Sequence, residues 1–264
     1  MSFRPLIVIP CFNSAHTLSP LLAQLKTKGE VLIVDDGSVD KSSNLAVFHN
    51  VKLVRHESNQ GLSKAMATAF DFARSEKFSH VVALDSDGQH PPELVPEILR
   101  FGENFDLVLG NRFHAISNIP SCKIGANLLA SSIFEKLTGI FLSDVACGFR
   151  SYRVDRFLNC PFGDDYEFIY RTLLFAIKNR LQIGQVKIPA TYFSDQLLAT
   201  RRTELLSLLS STSHEFWKDD VVQSRDFVWH LQGIDFHGFY VDAHDSYIIQ
   251  CDLNSAHEKY HAGN

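Results

Sequence analysis

Short apolar runs alternate with amphipathic stretches over the first half of the chain. Each run is five or six residues long, is rich in Val, Ile and Leu, and ends at a turn of proline, glycine or polar residues. Such runs are typical of buried strands. They cover residues 6–10, 30–35, 51–56, 81–85 and 106–110. Between them, apolar residues recur at helical spacing, which predicts helices over residues 18–27, 61–75 and 92–101.

Strands that are apolar along nearly their whole length and are separated by helices predict a mostly parallel sheet with helices on both faces. We therefore expect an α/β fold. Ligands of such sheets bind beyond the carboxyl ends of the strands. The polar residues that follow the strands are expected to share one cleft; they are Asn13 and residues 35–38, 59–61, 85–90 and 111–112.

The pattern is less regular in the second half of the chain. It predicts helices over residues 121–142, 166–179 and 204–217, and strands over residues 149–154 and 183–188. Beyond Lys218 the chain is rich in His, Asp and aromatic residues without a clear period. We expect a domain over residues 1–200 and a helical or irregular extension over residues 201–264. The aromatic residues of this extension suit packing on the domain or on a second subunit, as in a homo-oligomer.

Composition narrows the choice of partner and compartment. A hydrophobic share of 45% is typical of a globular protein, and with a net charge of -5 no strong basic field indicates nucleic acid as a partner. None of the five cysteines forms a Cys-x-x-Cys pair, so neither a zinc ribbon nor a disulfide framework is expected. No signal peptide or membrane span is predicted. We expect a cytoplasmic protein that is soluble or peripheral on the cytoplasmic membrane face.

Asp85 and Asp87 place two carboxylates just past a buried strand, and Gln89 adds an amide oxygen in the same turn. Hard oxygen ligands of this kind suit Mg²⁺ or Mn²⁺ bound to a diphosphate. The alternative is an Asx-rich turn that caps the next helix. Residues 35–38 form a second acidic turn, which could bind a base or ribose. There the alternative is a plain strand-to-helix turn with Ser38 or Asp40 as the cap.

Four short segments, two of which contain these acidic turns, occur in a characteristic order. They are Ile-Pro-Cys-Phe-Asn at 9–13, Val-Asp-Asp-Gly-Ser at 34–38, Asn-Gln-Gly-Leu at 59–62 and Asp-Ser-Asp-Gly-Gln-His-Pro-Pro-Glu at 85–93. The ordered set resembles glycosyltransferase family 2, whose members are inverting enzymes with the Rossmann-like GT-A fold. Within this family the set is most similar to dolichyl- or polyprenyl-phosphate mannosyl- and glucosyltransferases. Gly-Asn-Arg-Phe at 110–113 and Cys-Gly-Phe-Arg-Ser-Tyr-Arg at 147–153 extend the resemblance.

The resemblance implies roles for individual residues. The donor nucleotide would contact Pro10, Phe12, Asn13, Asp36, Lys64, Asp85 and Ser86. Asp85, Asp87 and Gln89 would hold Mg²⁺ or Mn²⁺. The acceptor phosphate would contact Arg112, Lys123 and Arg150. Asp144 would act as general base, with Arg112 and Asp87 as the other catalytic residues. Because a phosphate acceptor is already ionised, Asp144 could instead serve orientation only.

Three regions depart from the family pattern. Ser14 stands where the family usually has glutamate, and Lys123 is the only cation where an acceptor-side arginine is expected. Asp195 and Gln196 replace the basic, glycine-containing loop of the family. Residues 116–142 suit either a membrane-facing platform or an ordinary core helix.

The function expected is therefore inverting transfer of a hexose, mannose or glucose, from a GDP- or UDP-sugar to a polyprenyl-phosphate acceptor. One alternative is a soluble saccharide acceptor. Alternatives from other classes are a nucleotidyltransferase and an inactive sugar-nucleotide-binding module. A nucleotidyltransferase would more usually carry a glycine-rich basic loop at residues 10–17, which is absent. We expect His90 to support the turn rather than to catalyse. We also expect the histidines of residues 230–261 to form a solvated or packing tail rather than a metal site.

Overall fold

The computed structural model describes residues 3–115, 119, 121–164, 166–191, 200–201, 226–231, 234–241 and 246–251. The strands of the described residues are β1 (Pro5–Cys11), β2 (Glu30–Asp35), β3 (Lys52–Arg55), β4 (His80–Ala83), β5 (Leu107–Asn111), β6 (Arg150–Arg153), β7 (Ile183–Lys187), β8 (Thr200–Arg201), β9 (Asp226–Leu231), β10 (Ile234–Val241) and β11 (Ser246–Cys251). The helices are α1 (Ala15–Leu25), α2 (Ser42–Phe48), α3 (Leu62–Ser75), α4 (Val95–Gly102), α5 (Ser121–Thr138) and α6 (Glu167–Lys178).

Seven strands form one sheet in the order β3-β2-β1-β4-β6-β5-β7. β1 pairs in parallel with β2 and β4, and β2 pairs in parallel with β3. β6 is antiparallel to both of its neighbours, β4 and β5. The predicted α/β class with a mostly parallel sheet is confirmed, and β6 runs opposite to both of its neighbours inside it.

Apolar strands and the apolar faces of helices build the core. Leu6–Ile9 of β1 are at most 1% exposed. On one side of the sheet, α1 buries Leu18, Leu22 and Leu25 at helical spacing. Burial of each such side chain stabilises the fold by roughly 1.5–3 kcal/mol. The carboxyl ends of β1, β2 and β4 therefore rest on a packed core, which fixes the turns that follow them.

The chain forms two compact units. One consists of Met1–Gly110 and Cys147–Ile188 and holds the seven-stranded sheet; the other consists of Asn111–Ala146 and Pro189–Asn264. Within the first unit, Gly110 lies against Cys147 and Ile188. A β-carbon at Gly110 would meet Cys147 Sγ at 3.1 Å and Ile188 Cδ1 at 2.8 Å. The predicted domain boundary at residue 200 stays a prediction.

Several elements differ from the expected ones. α2 lies where no helix was predicted, and α1 begins three residues earlier than expected, at Ala15. The helix expected over residues 92–101 is a 3-10 turn, Pro92–Leu94, followed by α4. α5 ends at Thr138 rather than 142 because Gly139 adopts a φ of 72°, which ends a helix readily. Among the described residues, no helix is both long and apolar enough to cross a membrane.

The extension contains strands where a helical or irregular structure was expected. β8, β11, β10 and β9 form a four-stranded sheet in that order, with antiparallel pairing throughout. The aromatic and β-branched residues of 226–251 favour strands, and neighbouring strands satisfy their backbone groups. The predicted helix over 204–217, the loop with Asp195 and Gln196, and His244, His257 and His261 lie outside the described residues.

Candidate active site

The turn after β4 carries the first candidate group of residues. Gln89 binds Asp87 twice: its backbone N–H donates to Oδ1 at 2.9 Å and its amide Nε2 to Oδ2 at 2.8 Å. Gly88 has a φ of 80°, which brings Gln89 back toward Asp87. The three residues predicted to hold a metal, Asp85, Asp87 and Gln89, therefore share one tight turn.

The buried side chain of His90 packs against this turn and supports it. Its ring is 3% exposed and stacks on Phe149 at a centroid distance of 5.4 Å. The backbone N–H of Asp85 donates to His90 Nδ1 at 2.9 Å. The ring proton therefore lies on Nε2, which faces Asp85 Oδ2 at 3.6 Å. This geometry agrees with the supporting role expected for His90.

Gly148 gives the Asp85 carboxylate room to lie against the backbone. A β-carbon at Gly148 would stand 3.0 Å from Asp85 Oδ1, 3.1 Å from Oδ2 and 3.3 Å from His90 Cε1. A side chain at position 148 would thus restrict where the Asp85 carboxylate can point.

The two carboxylates of the turn suit a divalent cation. Burial, followed by the charge of Asp85, raises the pKa of Asp87. A bound cation would relieve this cost, and carboxylate oxygens are the ligands that Mg²⁺ and Mn²⁺ prefer. The described residues contain no group of three or more His, Cys, Asp or Glu side chains that could hold a metal. Mg²⁺ is usually held by one or two carboxylates together with substrate phosphates, so two carboxylates in one turn fit such a cation.

The turn after β2 is built differently, because its carboxylates lie in the interior. Asp35 is 0% exposed, and its side chain accepts the backbone N–H of Ser38 at 2.9 Å and the Ser43 hydroxyl. Asp36 is 4% exposed and accepts the backbone N–H groups of the loop at residues 60–61. These carboxylates shape the turn and the neighbouring loop.

Hydrogen bonds join the turns after β1, β2 and β4. The backbone N–H of Asn13 donates to Ser38 Oγ at 2.9 Å, and Asn13 Oδ1 accepts the backbone N–H of Val39. Ser14 Oγ and Ser86 Oγ lie 2.7 Å apart, and both residues are buried. Three of the predicted strand ends thus meet as expected.

The other predicted donor-side residues border these turns. Pro10 lies in β1 opposite Val34 of β2. Phe12 follows β1 and is 46% exposed. Lys64 is exposed in the first turn of α3. Phe12 and Lys64 therefore present an aromatic face and a cation at the surface of the same unit.

Arg150 occupies an interior position. It is 0% exposed, and its guanidinium donates to the carbonyl oxygens of Cys147 at 2.7 Å and Ile169 at 2.6 Å, and to Thr172 Oγ1 at 3.4 Å. These bonds tie β6 to α6. In this position Arg150 stabilises the fold, and its predicted acceptor-phosphate contact stays a prediction.

Arg112, in the second unit, forms a bidentate ion pair with Asp144. Arg112 Nε donates to Asp144 Oδ2 and Nη2 to Oδ1, each at 2.8 Å, and the backbone N–H of Arg112 adds a third bond at 3.0 Å. The Asp144 side chain is 0% exposed, against 16% for Arg112. Asp144 therefore fixes the orientation of the guanidinium. Lys123, also predicted on the acceptor side, is half-buried in α5 of the same unit.

Comparison with known proteins decides the family. The family model described as "Glycosyl transferase family 2" matches residues 6–158, which is more than half of the chain. The chain belongs to glycosyltransferase family 2. The enzyme class is therefore glycosyltransferase, as expected, rather than nucleotidyltransferase.

Two relatives of this glycosyltransferase have informative names. The undecaprenyl-phosphate mannosyltransferase of Micrococcus luteus is 28% identical over 163 residues, which are 58% of this chain and 67% of that protein. The UDP-N-acetylglucosamine–dolichyl-phosphate N-acetylglucosaminyltransferase of Methanococcus voltae is 26% identical over 213 residues, or 70% of this chain and 85% of that protein.

A solved structure shows the same fold. Glucosyl-3-phosphoglycerate synthase of Mycobacterium tuberculosis, in complex with Mn²⁺, UDP and glucosyl-3-phosphoglycerate, superposes with a TM-score of 0.63. The match covers 87% of each chain at 18% identity. The GT-A fold expected from the sequence is confirmed.

Two features of the glycosyltransferase site were missed in the sequence. His56 contacts Asp36 from the end of another strand, and Ser14 contacts Ser86 across 72 positions of the chain. Ser14 was noted as a departure from the family pattern, but nothing in the sequence identified Ser86 as its partner. A single histidine near Asn59 gave no signal, because its partner lies 20 positions earlier.

Proposed function

We propose that this glycosyltransferase moves a hexose from a GDP- or UDP-sugar to a polyprenyl phosphate, with inversion and with Mg²⁺ or Mn²⁺. The observation that carries the proposal is the turn that brings the carboxylates of Asp85 and Asp87 together with Gln89, where burial and the charge of Asp85 raise the pKa of Asp87 and a cation would offset that charge. The names of the relatives, which act on undecaprenyl and dolichyl phosphates, support the acceptor class.

In this proposal the residues of the first unit bind and orient the donor. Asp85, Asp87 and Gln89 hold the cation, which when bound would offset the charge of the departing diphosphate. Phe12, Asn13 and Ser86 contact the nucleotide, and Pro10 shapes the floor beneath it. Lys64 adds a positive charge near the phosphates. His90 supports the backbone of Asp85 through its Nδ1, and Gly148 leaves space for the Asp85 carboxylate.

On the acceptor side, the proposal assigns the phosphate to Arg112, with Lys123 as a further cation. A guanidinium fork suits a phosphate because it presents several N–H groups in one plane. Asp144 holds Arg112 through three hydrogen bonds, so we assign it orientation rather than proton transfer. The phosphate nucleophile needs no general base because it is already ionised at neutral pH. Acceptors of this class place the enzyme at a membrane surface.

The test is a transfer assay with a panel of GDP- and UDP-sugars and a short-chain polyprenyl phosphate. We expect activity with Mg²⁺ or Mn²⁺, loss of activity with EDTA, and no transfer to the polyprenol without its phosphate. Asp87→Ala is expected to abolish turnover. Asp71→Ala is the matched control, since Asp71 is an exposed carboxylate on α3 of the same unit.

Two results would contradict the proposal. Turnover that survives in EDTA would exclude the metal-dependent mechanism. Transfer to soluble saccharides but not to the lipid phosphate would replace the acceptor class with the alternative one. A liposome flotation assay, which measures binding of the protein to membranes, distinguishes these acceptor classes further, because only the lipid acceptor requires a membrane.

A further inference from the structure

His56 links three elements of the first unit at a point that the proposed mechanism does not use. Its Nδ1 lies 2.7 Å from Asp36 Oδ1, and its Nε2 lies 2.9 Å from Thr68 Oγ1 on α3. Its backbone N–H donates to Asp35 O at 2.9 Å. The side chain is 9% exposed. A carboxylate only accepts hydrogen bonds, so Nδ1 donates to Asp36, while Nε2 pairs with the Thr68 hydroxyl.

Asp36 in turn fixes the loop that leads into α3. The backbone N–H of Gln60 donates to both of its carboxylate oxygens at 3.0 Å, and that of Gly61 donates to Oδ2 at 2.8 Å. Gly61 has a φ of 89°, so the loop turns sharply at the start of the helix. Asn59 and Gln60 are exposed, while the carboxylate that accepts the N–H groups of Gln60 and Gly61 is buried.

His56 therefore determines where an exposed loop and the first turn of α3 stand. It holds Asp36 at one ring nitrogen and α3 at the other, so the carboxylate and the helix cannot shift independently. Lys64 lies in that first turn, three residues after Gly61. A displacement of about 1 Å in groups that position a substrate can cost on the order of a hundredfold in rate.

We propose that His56 is a positioning residue for the nucleotide donor, acting through Asp36 and Thr68 on the loop at residues 59–61 and on Lys64. In this arrangement the Asp36 carboxylate binds the loop rather than the nucleotide base, because its oxygens already accept N–H groups of the protein. The inference rests on the proposed function, since it requires that a nucleoside diphosphate binds this unit.

The test uses the full chain and measures binding of UDP and GDP in the presence of Mn²⁺ by calorimetry, together with donor KM and kcat. We expect His56→Ala to weaken nucleotide binding about tenfold or more, with a smaller change in kcat at saturating donor. His56→Asn keeps an N–H near the position of Nδ1 and should restore part of the affinity. Thr68→Val removes only the second contact and should weaken binding about fivefold.

A matched control comes from His49, whose Nε2 lies 2.9 Å from Ser19 Oγ in the same unit. His49→Ala removes a comparable histidine–hydroxyl contact away from the loop, so nucleotide affinity should not change. Amide hydrogen exchange supplies a readout that needs no substrate. Protection at Gln60 and Gly61 should fall in His56→Ala and persist in His49→Ala.

The inference is overturned if His56→Ala binds the nucleotide as the parent protein does, or if Gln60 and Gly61 keep their protection. It is also overturned if His49→Ala and His56→Ala lose affinity equally, because the effect would then be general destabilisation. If the parent protein binds neither UDP nor GDP, the proposed function fails, and the exchange data alone decide whether His56 holds the loop.

Discussion

Two turns of the sheet carry a pair of acidic residues close after a buried strand: Asp35 with Asp36, and Asp85 with Asp87. The first pair lies in the interior, where N–H and O–H groups of nearby loops donate to the carboxylates. The second pair is partly exposed, and burial with mutual charge raises the pKa of Asp87. Similar sequence patterns thus produce one turn that holds the fold and one that is suited to a cation.

The largest expected effect is a loss of transfer rate at the turn after β4. A substitution there should change the rate, whereas a substitution at the end of β2 should change stability. Asp87→Asn should lower the transfer rate about a thousandfold, since cation binding contributes several kcal/mol to stabilising the transition state. It should leave the free energy of unfolding unchanged or higher, because one of two neighbouring charges is removed. Steady-state kinetics and urea unfolding measure the two effects.

Asp35→Asn should give the reverse result. A buried carboxylate that accepts hydrogen bonds stabilises the fold, so its replacement should cost about 2–3 kcal/mol of unfolding free energy. The rate of the remaining folded protein should change far less than in Asp87→Asn. Equal losses of stability in both variants would remove the distinction between the turns.

Glycines beside the two turns allow a second, smaller comparison. Gly37 has a φ of 76°, and a β-carbon there would stand 2.5 Å from the backbone carbon of Ser58. Gly37→Ala should therefore cost about 3 kcal/mol of stability. Gly148→Ala meets carboxylate oxygens of Asp85 at 3.0 and 3.1 Å instead, and should lower the rate about tenfold with little loss of stability. Thermal unfolding and kinetics of both variants test this pair.

The smallest effect at neutral pH comes from His80, at the opposite end of β4 from Asp85. Burial, followed by the nearby Arg153, lowers the pKa of His80 from 6.5 to about 4. As pH falls from 6.5 toward 4, the unfolded chain binds a proton that the folded protein does not. The free energy of unfolding should therefore decrease in this window, by up to about 3 kcal/mol.

His80→Phe should remove this part of the pH dependence and leave stability at neutral pH nearly unchanged. Urea unfolding at several pH values measures it. An unchanged slope in His80→Phe would assign the acid sensitivity to other groups, and the acidic turns would then be the first to examine. With His80 replaced, the pH dependence of the two turns can be compared directly.

The fold could be predicted where apolar periodicity is strong and local. β1, β2 and α3 follow from runs of Ile, Val and Ala that leave one plausible pattern each. α2 was missed because its seven residues span only two helical turns and begin with two serines. The strands of 226–251 were missed because histidine and aspartate interrupt their alternation.

The candidate site was predictable only as far as single turns. The acidic turns stand out because carboxylates directly follow apolar strands, and the family resemblance orders them. The hydrogen bonds around these turns join residues that are far apart in sequence: His56 contacts Asp36, and Ser14 contacts Ser86. These contacts between distant parts of the chain decide whether a carboxylate accepts hydrogen bonds from the protein or is available to bind a cation.

The surroundings of Gly110 have a consequence for how such enzymes can diversify. The chain leaves the first unit after Gly110, returns at Cys147 and leaves again after Ile188. Cys147 and Ile188 both lie against Gly110, so the three junctions are neighbours. We therefore expect the first unit to accept segments of another length or origin at these points with the same strand order in its sheet. Chimeras joined at residues 110, 147 and 188 would exchange the second unit as a cassette while keeping the donor turns of the first.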